Sequence, residues 1–300
     1  MTAQLSFDFT GTQALVTGAT SGIGHAVAVL LRDAGAAVTV TGTKPGAGDY
    51  DTDLSGMTYR QLVLTDNASV DSLAESISSL DVLVNNAGAN FPPGGLDESA
   101  PPDGFAASVA LNLTGPYRLT VGLRRALTAS TAAGGGASVV NLASMSALRA
   151  VTMVPGYGAA KSGIVNITRN LAVKWSKYGI RVNAIAPGTI ETAMTEPMHA
   201  VPEILATEIA HIPAGRWVGS TRSPRPSRSC ARRRAATSTA RCWSSTVART
   251  ACSRTPAVPY AGAPPSGPVH LQRSDRARSA ARRDVHRTRF RRRHIRGRPG

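Results

Sequence analysis

An α/β architecture, a single doubly wound parallel sheet with helices on both faces, is predicted by three features of the chain. Short apolar runs alternate with segments of helical spacing between about residues 13 and 185. The first run ends in a glycine-rich turn, T-G-A-T-S-G-I-G at 17–24, that opens a helical stretch. Further on, Tyr157-Gly-Ala-Ala-Lys161 lies within a helical segment, with Ser144 upstream.

The elements follow in order. Residues 13–17 (Q-A-L-V-T) form an apolar run, and 23–34 space Ile23, Val27, Leu30 and Leu31 at helical intervals: strand, turn, helix. Strands are then expected at 37–41 and 59–64, a helix at 69–80 and a buried strand at 81–84 entering Asn85-Asn86-Ala87-Gly88. Helical patterns cover about 103–129 and 156–177, with strands at 138–142 and 181–185. Between Lys44 and Met57 turn formers outnumber apolar residues, which predicts an irregular acidic loop. Met194, Met198, Ile204, Leu205 and Ile209 supply either an apolar lid over a substrate or the core face of an amphipathic helix. From Ser220 periodicity disappears.

The formal net charge of +16 averages two unlike pieces. Residues 1–219 carry 13 Lys+Arg against 16 Asp+Glu, whereas 220–300 carry 21 Arg, no Lys and 2 Asp. The three cysteines, Cys230, Cys242 and Cys252, all fall in the second piece, so the body offers no disulfide framework or thiolate cluster, and a reducing cytosol fits. His25 and His199 have no clustered ligands, and no metal is expected. No apolar run reaches about 18 residues and no signal-peptide pattern opens the chain, so a soluble cytoplasmic protein is expected.

Glycines at 18, 22 and 24 between a strand and a helix let backbone approach a pyrophosphate, and the helix start presents free N–H groups to it. Such a turn also serves as a plain structural loop. Tyr157 and Lys161, four apart in a helix, project from one face. A free tyrosine, with a pKa of about 10, is a poor acid–base group near neutrality; lowering it by roughly 3 units takes about 4 kcal/mol, part of which a neighbouring ammonium supplies. A lone Y-x-x-x-K arises by chance about once in a few hundred residues. The ordered set carries the weight.

That set (the G-x-x-x-G-x-G turn, Asn85-Asn86-Ala87-Gly88, Asn112, Ser144, Tyr157, Lys161 and Pro187-Gly188) closely resembles the short-chain dehydrogenases/reductases over about Phe7 to Val218. Among them it is most similar to 3-oxoacyl-carrier-protein reductases and related ketone reductases. The resemblance implies a Rossmann-type domain in which Tyr157 exchanges a proton with the carbonyl oxygen and Ser144 hydrogen-bonds that oxygen. It also implies that Lys161 binds the nicotinamide ribose and Asn112 supports a water-mediated proton relay toward Lys161. Ser146 is the rival hydroxyl, but the 13-residue interval from Ser144 to Tyr157 matches the family better. The implied cofactor-binding set is Gly18, Ser21, Gly22, Ile23, Gly24, Thr43, Lys44, Asn86, Ala87, Gly88, Tyr157, Lys161, Pro187, Gly188, Ile190 and Thr192, with Ile190 acting through its main chain. No acid follows the second strand, where Val40-Thr41-Gly42-Thr43-Lys44 stands. This predicts NADP rather than NAD, with Lys44 near the 2′-phosphate; Lys44 as a solvated loop charge is the alternative. Val63 departs from the family, which often places Asp or Asn there near adenine, and Asp66 comes three residues too late.

The family ordinarily adds a last helix and strand after the segment matching Pro213–Trp217. Reading codons from the last base of one residue and the first two of the next, Trp217-Val218 encodes Gly and Cys242-Trp243 encodes Leu. Across Thr237 to Ala248 that frame permits Y-V-N-G-A-V-L-V-V-D-G-G. The chain is therefore divided into a C-terminally incomplete catalytic domain at 1–219 and an Arg-rich, noncognate tail at 220–300 that reads as frameshifted and is expected to be disordered. The competing reading is a nucleic-acid-binding tail, with Arg282-Arg283 and Arg291-Arg292-Arg293 on phosphates, although stacking aromatics are sparse.

The expected activity is NADP-dependent interconversion of a small-molecule carbonyl and a secondary alcohol, a 3-oxoacyl thioester being one substrate. The contrasting function is a noncatalytic dinucleotide-binding or interaction protein. A family-type homodimer or homotetramer, impaired by the tail, is the expected assembly.

Overall fold

A computed structural model of the chain describes residues 7–91, 103–132, 136–196, 201–210, 212, 218–219 and 241–243. All of these fall in the compact unit Met1–Pro256. Six strands run parallel: β1 (Gln13–Val16), β2 (Ala37–Gly42), β3 (Thr58–Gln61), β4 (Val82–Asn85), β5 (Ser138–Leu142) and β6 (Arg181–Ala186), in the order β3-β2-β1-β4-β5-β6. The order reverses between β1 and β4. A crevice at the C-terminal ends of those two strands is where open α/β sheets take ligands.

Alternation along each strand sends side chains to two cores. On one face Leu15, Leu83, Val139 and Val182 pack against Val70 and Leu73 of α2 (Asn67–Ser76) and Leu119 of α4 (Gly115–Gly122). Leu127 of α5 (Arg124–Thr128) and Leu171 and Trp175 of α6 (Pro155–Trp175) join the same core. On the other, Ala14, Val16, Val38, Val40 and Val84 meet Ala28, Ile23, Val27 and Leu31 of α1 (Gly22–Asp33). Beside α1 this face carries an apolar cavity of about 560 Å³, lined by Val82, Val84, Val140, Leu142 and Ile185 among others.

The helix expected at 103–129 is interrupted. After α3 (Gly104–Val109), residues Ala110–Thr114 make one π-helical turn before α4, and Leu123 separates α4 from α5. The helix expected at 69–80 starts at Asn67, because Asp66 accepts the Ala68 N–H at 2.9 Å as its N-cap, and ends at Ser76. The 44–57 connection is a loop with one 3₁₀ turn at Ala47–Asp49. Beyond β6, β7 (Ile190–Glu191) pairs with β8 (Val218–Gly219), and α7 spans Pro202–Ala210.

Within the segment expected to be disordered, three residues are described. β9 (Arg241–Trp243) pairs antiparallel with Ala184–Ala186 of β6, so the sheet is not wholly parallel. The edge of β6 offers a row of backbone donors and acceptors, and pairing with it depends on backbone rather than on side-chain pattern. The rest of 220–300, with its arginine clusters, Cys230 and Cys252, lies outside the described residues, as do Met198 and His199. Among the described residues no helix is long and apolar enough to cross a membrane.

Candidate active site

The glycine turn sits where β1 ends, inside the crevice. Gly18 has φ +61°, a conformation that side chains rarely adopt, and a Cβ there would strike Ala87. Gly22 (φ +55°) opens α1 and faces Thr192, while Gly24 is buried within the first turn. Ser21 is the N-cap but makes no side-chain capping bond. The first-turn N–H groups, Gly22 and Ile23 among them, therefore lie at a dipole end with no side-chain acceptor from the cap.

Asn86-Ala87-Gly88 is fastened against this turn by a residue the sequence reading did not single out. Thr17 Oγ1 accepts the N–H groups of both Asn86 and Ala87 at 3.1 Å. Asn86 Nδ2 returns to the turn, donating to the carbonyls of Thr17 (3.0 Å) and Gly18 (2.9 Å). Thr41 Oγ1 accepts the Gly18 N–H at 3.3 Å. Threonine is an ordinary strand residue, so only its location at a strand's end marks these two.

The π turn delivers Asn112 to the other side of the crevice. It is fully buried; its Oδ1 accepts the Ala89 N–H at 3.2 Å, and its Nδ2 donates to the carbonyls of Ala89 (2.8 Å) and Ser108 (3.0 Å). A Cβ on Gly88 would lie 2.6 Å from Asn112 Oδ1 and 3.3 Å from Lys161 Nζ. Gly88, Asn112 and Lys161 thus meet at one point, and Gly88 keeps it open. A single-turn π bulge at such a place is a recurrent functional device.

Lys161 is 4% exposed and donates to the Leu142 carbonyl at 2.9 Å. Its Nζ stands 5.4 Å from the centroid of the Tyr157 ring, as the four-residue spacing on α6 requires. Burial pulls its pKa down to about 8. Ser144 lies two residues beyond β5 and caps the short turn Met145–Ala147: its Oγ accepts the Ser146 N–H at 3.1 Å and donates to Ser146 Oγ at 3.3 Å. The two rival hydroxyls are therefore bonded to one another. The turn rests on α6 through Ser162 Oγ, which donates to the Ala147 carbonyl at 3.3 Å. Met145 N–H donates to the Pro187 carbonyl at 3.1 Å, which ties it to the Pro187-Gly188 loop leading into β7 at Ile190. In that loop the Thr192 N–H donates to Thr195 Oγ1 at 3.0 Å.

Helix α7 is held over this region by Glu208, whose Oε2 accepts from Arg149 at 2.6 Å and from Thr189 Oγ1 at 2.9 Å. Of the apolar residues that suggested a lid, Met194 is exposed and Leu205 and Ile209 are half-buried. Thr43 and Lys44 stand apart from the catalytic group, exposed at the end of β2 and separated from β5 by β1 and β4. His25 Nε2 pairs with the Asp53 carbonyl at 3.0 Å, and among the described residues no cluster of metal-ligating side chains occurs. Asp66 spends its carboxylate on the α2 cap, and Val63 N–H donates to Ser69 Oγ.

A glycine cradle of positive φ, an open helix start and a buried lysine beside a tyrosine fit a nicotinamide dinucleotide. Comparison with known proteins agrees. The short chain dehydrogenase family model matches residues 12–202. The cis-4-hydroxycyclohexanecarboxylate dehydrogenase of Sinomonas cyclohexanicum is 38% identical over 211 residues, covering 68% of this chain and 82% of that protein. The 3-oxoacyl-[acyl-carrier-protein] reductase FabG of Vibrio harveyi is 32% identical over 212 residues, covering 69% and 84%. Among solved structures, the active-site complex of Pseudomonas aeruginosa RhlG with NADP superposes with a TM-score of 0.62 at 31% identity, over 72% of this chain and 87% of that one.

Proposed function

The chain belongs to the short-chain dehydrogenase family, and from that premise we propose that it reduces a ketone to a secondary alcohol, or the reverse, with NADP(H), a 3-oxoacyl thioester being the substrate of choice. The oxidoreductase class follows from the family. The observation that carries the carbonyl–alcohol reading is the meeting of Asn112 and buried Lys161 at Gly88, with the Tyr157 ring beside Lys161, at the sheet's switch point; the thioester rests on the likeness to 3-oxoacyl-[acyl-carrier-protein] reductases.

A bound reduced nicotinamide supplies the hydride. The glycine turn and the start of α1 hold the pyrophosphate; Asn86, Ala87, Pro187, Gly188, Ile190 and Thr192 frame the nicotinamide half; Thr43 and Lys44 receive the adenosine 2′-phosphate. Tyr157 gives its hydroxyl proton to the carbonyl oxygen as negative charge develops there, and Ser144 donates a hydrogen bond to the same oxygen. Lys161, while protonated, favours the phenolate left behind. Asn112, fixed by Ala89 and Ser108, orients the path by which that proton is replaced.

The catalytic domain is assigned to 1–219 and the noncognate segment to 220–300, and a family-type homo-oligomer is assigned to the frame-restored chain. NADPH oxidation is followed by absorbance over a panel of ketones, including a 3-oxoacyl thioester and a cyclic keto acid, for this chain and for the frame-restored one. The thioester is expected to give the highest kcat/KM. Oxidation of NADPH by none of the carbonyls in either chain overturns the assignment; preference for the cyclic acid overturns only the substrate. Light scattering on both chains is expected to show the larger oligomer for the restored one.

A further inference from the structure

The loop after β2 is stitched back onto the phosphate turn. Thr52 Oγ1 donates to the Thr20 carbonyl at 2.7 Å. At Gly42 the space a Cβ would fill is taken by the Tyr50 hydroxyl and the Thr20 methyl. Both polar groups of Lys44's main chain are held by tyrosines: its N–H donates to Tyr50 Oη at 2.7 Å, and its carbonyl accepts from the Tyr59 hydroxyl. The two hydroxyls are 3.4 Å apart and the rings meet at 5.8 Å, tilted by 52°. The side chain is placed as well. Lys44 Nζ sits 4.9 Å from the Tyr50 ring centroid and donates to the Asp49 carbonyl at 2.5 Å. Asp49 in turn accepts the Gly46 N–H at 2.8 Å, and Gln61 Nε2 donates to the Thr43 carbonyl at 2.8 Å. Burial pushes the Tyr59 hydroxyl above the ordinary tyrosine range, so it stays a donor.

We propose that Tyr50 and Tyr59 clamp the Lys44 peptide and so position its ammonium for a phosphate monoester on the adenosine ribose, which makes them specificity-determining residues that act through Lys44. The proposal rests on the NADP reading above. An exposed lysine on a free loop discriminates poorly, because ordering its backbone and long side chain offsets most of a screened ion pair. Two hydroxyls that fix the main chain, with a ring beneath the ammonium, remove much of that ordering cost before the ligand arrives. What distinguishes this from ordinary loop packing is that only the phosphorylated cofactor should sense it.

The experiment is calorimetric titration of the full-length protein and of Lys44→Ala, Tyr50→Phe and Tyr59→Phe with NADPH, NADH and the unreactive adenosine 2′,5′-bisphosphate. Lys44→Ala is expected to lower the NADPH-to-NADH affinity ratio about fivefold. Each tyrosine variant should lower it two- to fivefold, with NADH affinity unchanged and the bisphosphate weakened in parallel. If Lys44→Ala falls but both tyrosine variants keep the parental ratio, the clamp is overturned while the cofactor reading stands. An unchanged ratio in Lys44→Ala overturns the clamp together with the placing of Lys44 at the 2′-phosphate, while the hydride-transfer reading, tested by NADPH oxidation, stands. Should Tyr50→Phe, whose lost hydroxyl also packs against Gly42 of β2, lose NADH affinity as well, Tyr59→Phe decides alone.

Discussion

The two ends of the proposed cofactor site are made of opposite materials. At the carbonyl end, Lys161 of α6 and Asn112 of the π turn are buried and donate to backbone carbonyls of Leu142, Ala89 and Ser108. At the adenosine end, Thr43 and Lys44 are exposed and are held by a loop that packs on itself. Low local dielectric makes charge at the first end strong and tunable; water and salt make it weak at the second. Chemistry is thus expected to be sensitive to single atoms, and cofactor choice to be graded.

Breaking the buried end should cost most. Tyr157→Phe is expected to lower kcat by about 10²–10⁴ while cofactor affinity changes little, because it removes a proton transfer needed only in the transition state. Turnover near the parent's, with a substrate the parent accepts, would remove Tyr157 from the mechanism. Ser144→Ala should lower kcat about 10²-fold, whereas Ser146→Ala, its bonded neighbour, should leave most of it. Equal losses in steady-state rates would make the pair, and not Ser144, the functional unit.

Lys161 supplies a test of stability against pH. Its folded pKa of about 8 lies below the ordinary 10.5, so between those values the unfolded chain binds a proton that the folded chain does not. Stability should therefore rise as pH goes from about 8 to 10.5, and below 8 the buried ammonium costs about 3 kcal/mol. Lys161→Met should abolish that slope in urea titrations and raise stability at pH 7, while removing most turnover. A slope that persists in Lys161→Met would place its origin elsewhere. The smallest effect belongs to the exposed end: with Lys44→Ala, raising salt from 50 to 500 mM should change the NADPH preference far less than it does in the parent. Equal salt responses would show that Lys44 does not meet the phosphate.

How much of this was legible follows the same division. Tyr157 and Lys161 were visible because a four-residue spacing on a helix fixes a shared face, and the glycines because a strand-to-helix turn with positive φ at Gly18 admits little else. The π turn was not visible: no propensity distinguishes A-L-N-L-T from regular helix, and the bulge is set by what Asn112 reaches at Ala89. Thr17 and Thr41 carry in sequence only the signature of strand formers. Tyr50 and Tyr59 lay in and beside a stretch of turn residues whose packing depends on contacts across the loop. The pairing of Arg241–Trp243 has no signature in the sequence, because a sheet edge recruits backbone and not a side-chain pattern.

The π turn has a consequence for how this chain tolerates change in length. Between Gly104 and Gly122 the helix holds a residue more than a regular spiral needs, and that surplus sets the rotation of everything before it relative to everything after. Removing one residue there would let the turn close into ordinary α-helix and swing the α3 segment by about 100°. Ser108, now fully buried beneath Asn112, would leave its place. Point substitutions and deletions at the same position are therefore different events: Ala110→Ser should pass almost unnoticed in a thermal melt and a rate assay, while deletion of Ala110 should fail both. The gene can drift in spelling along this helix but not in count.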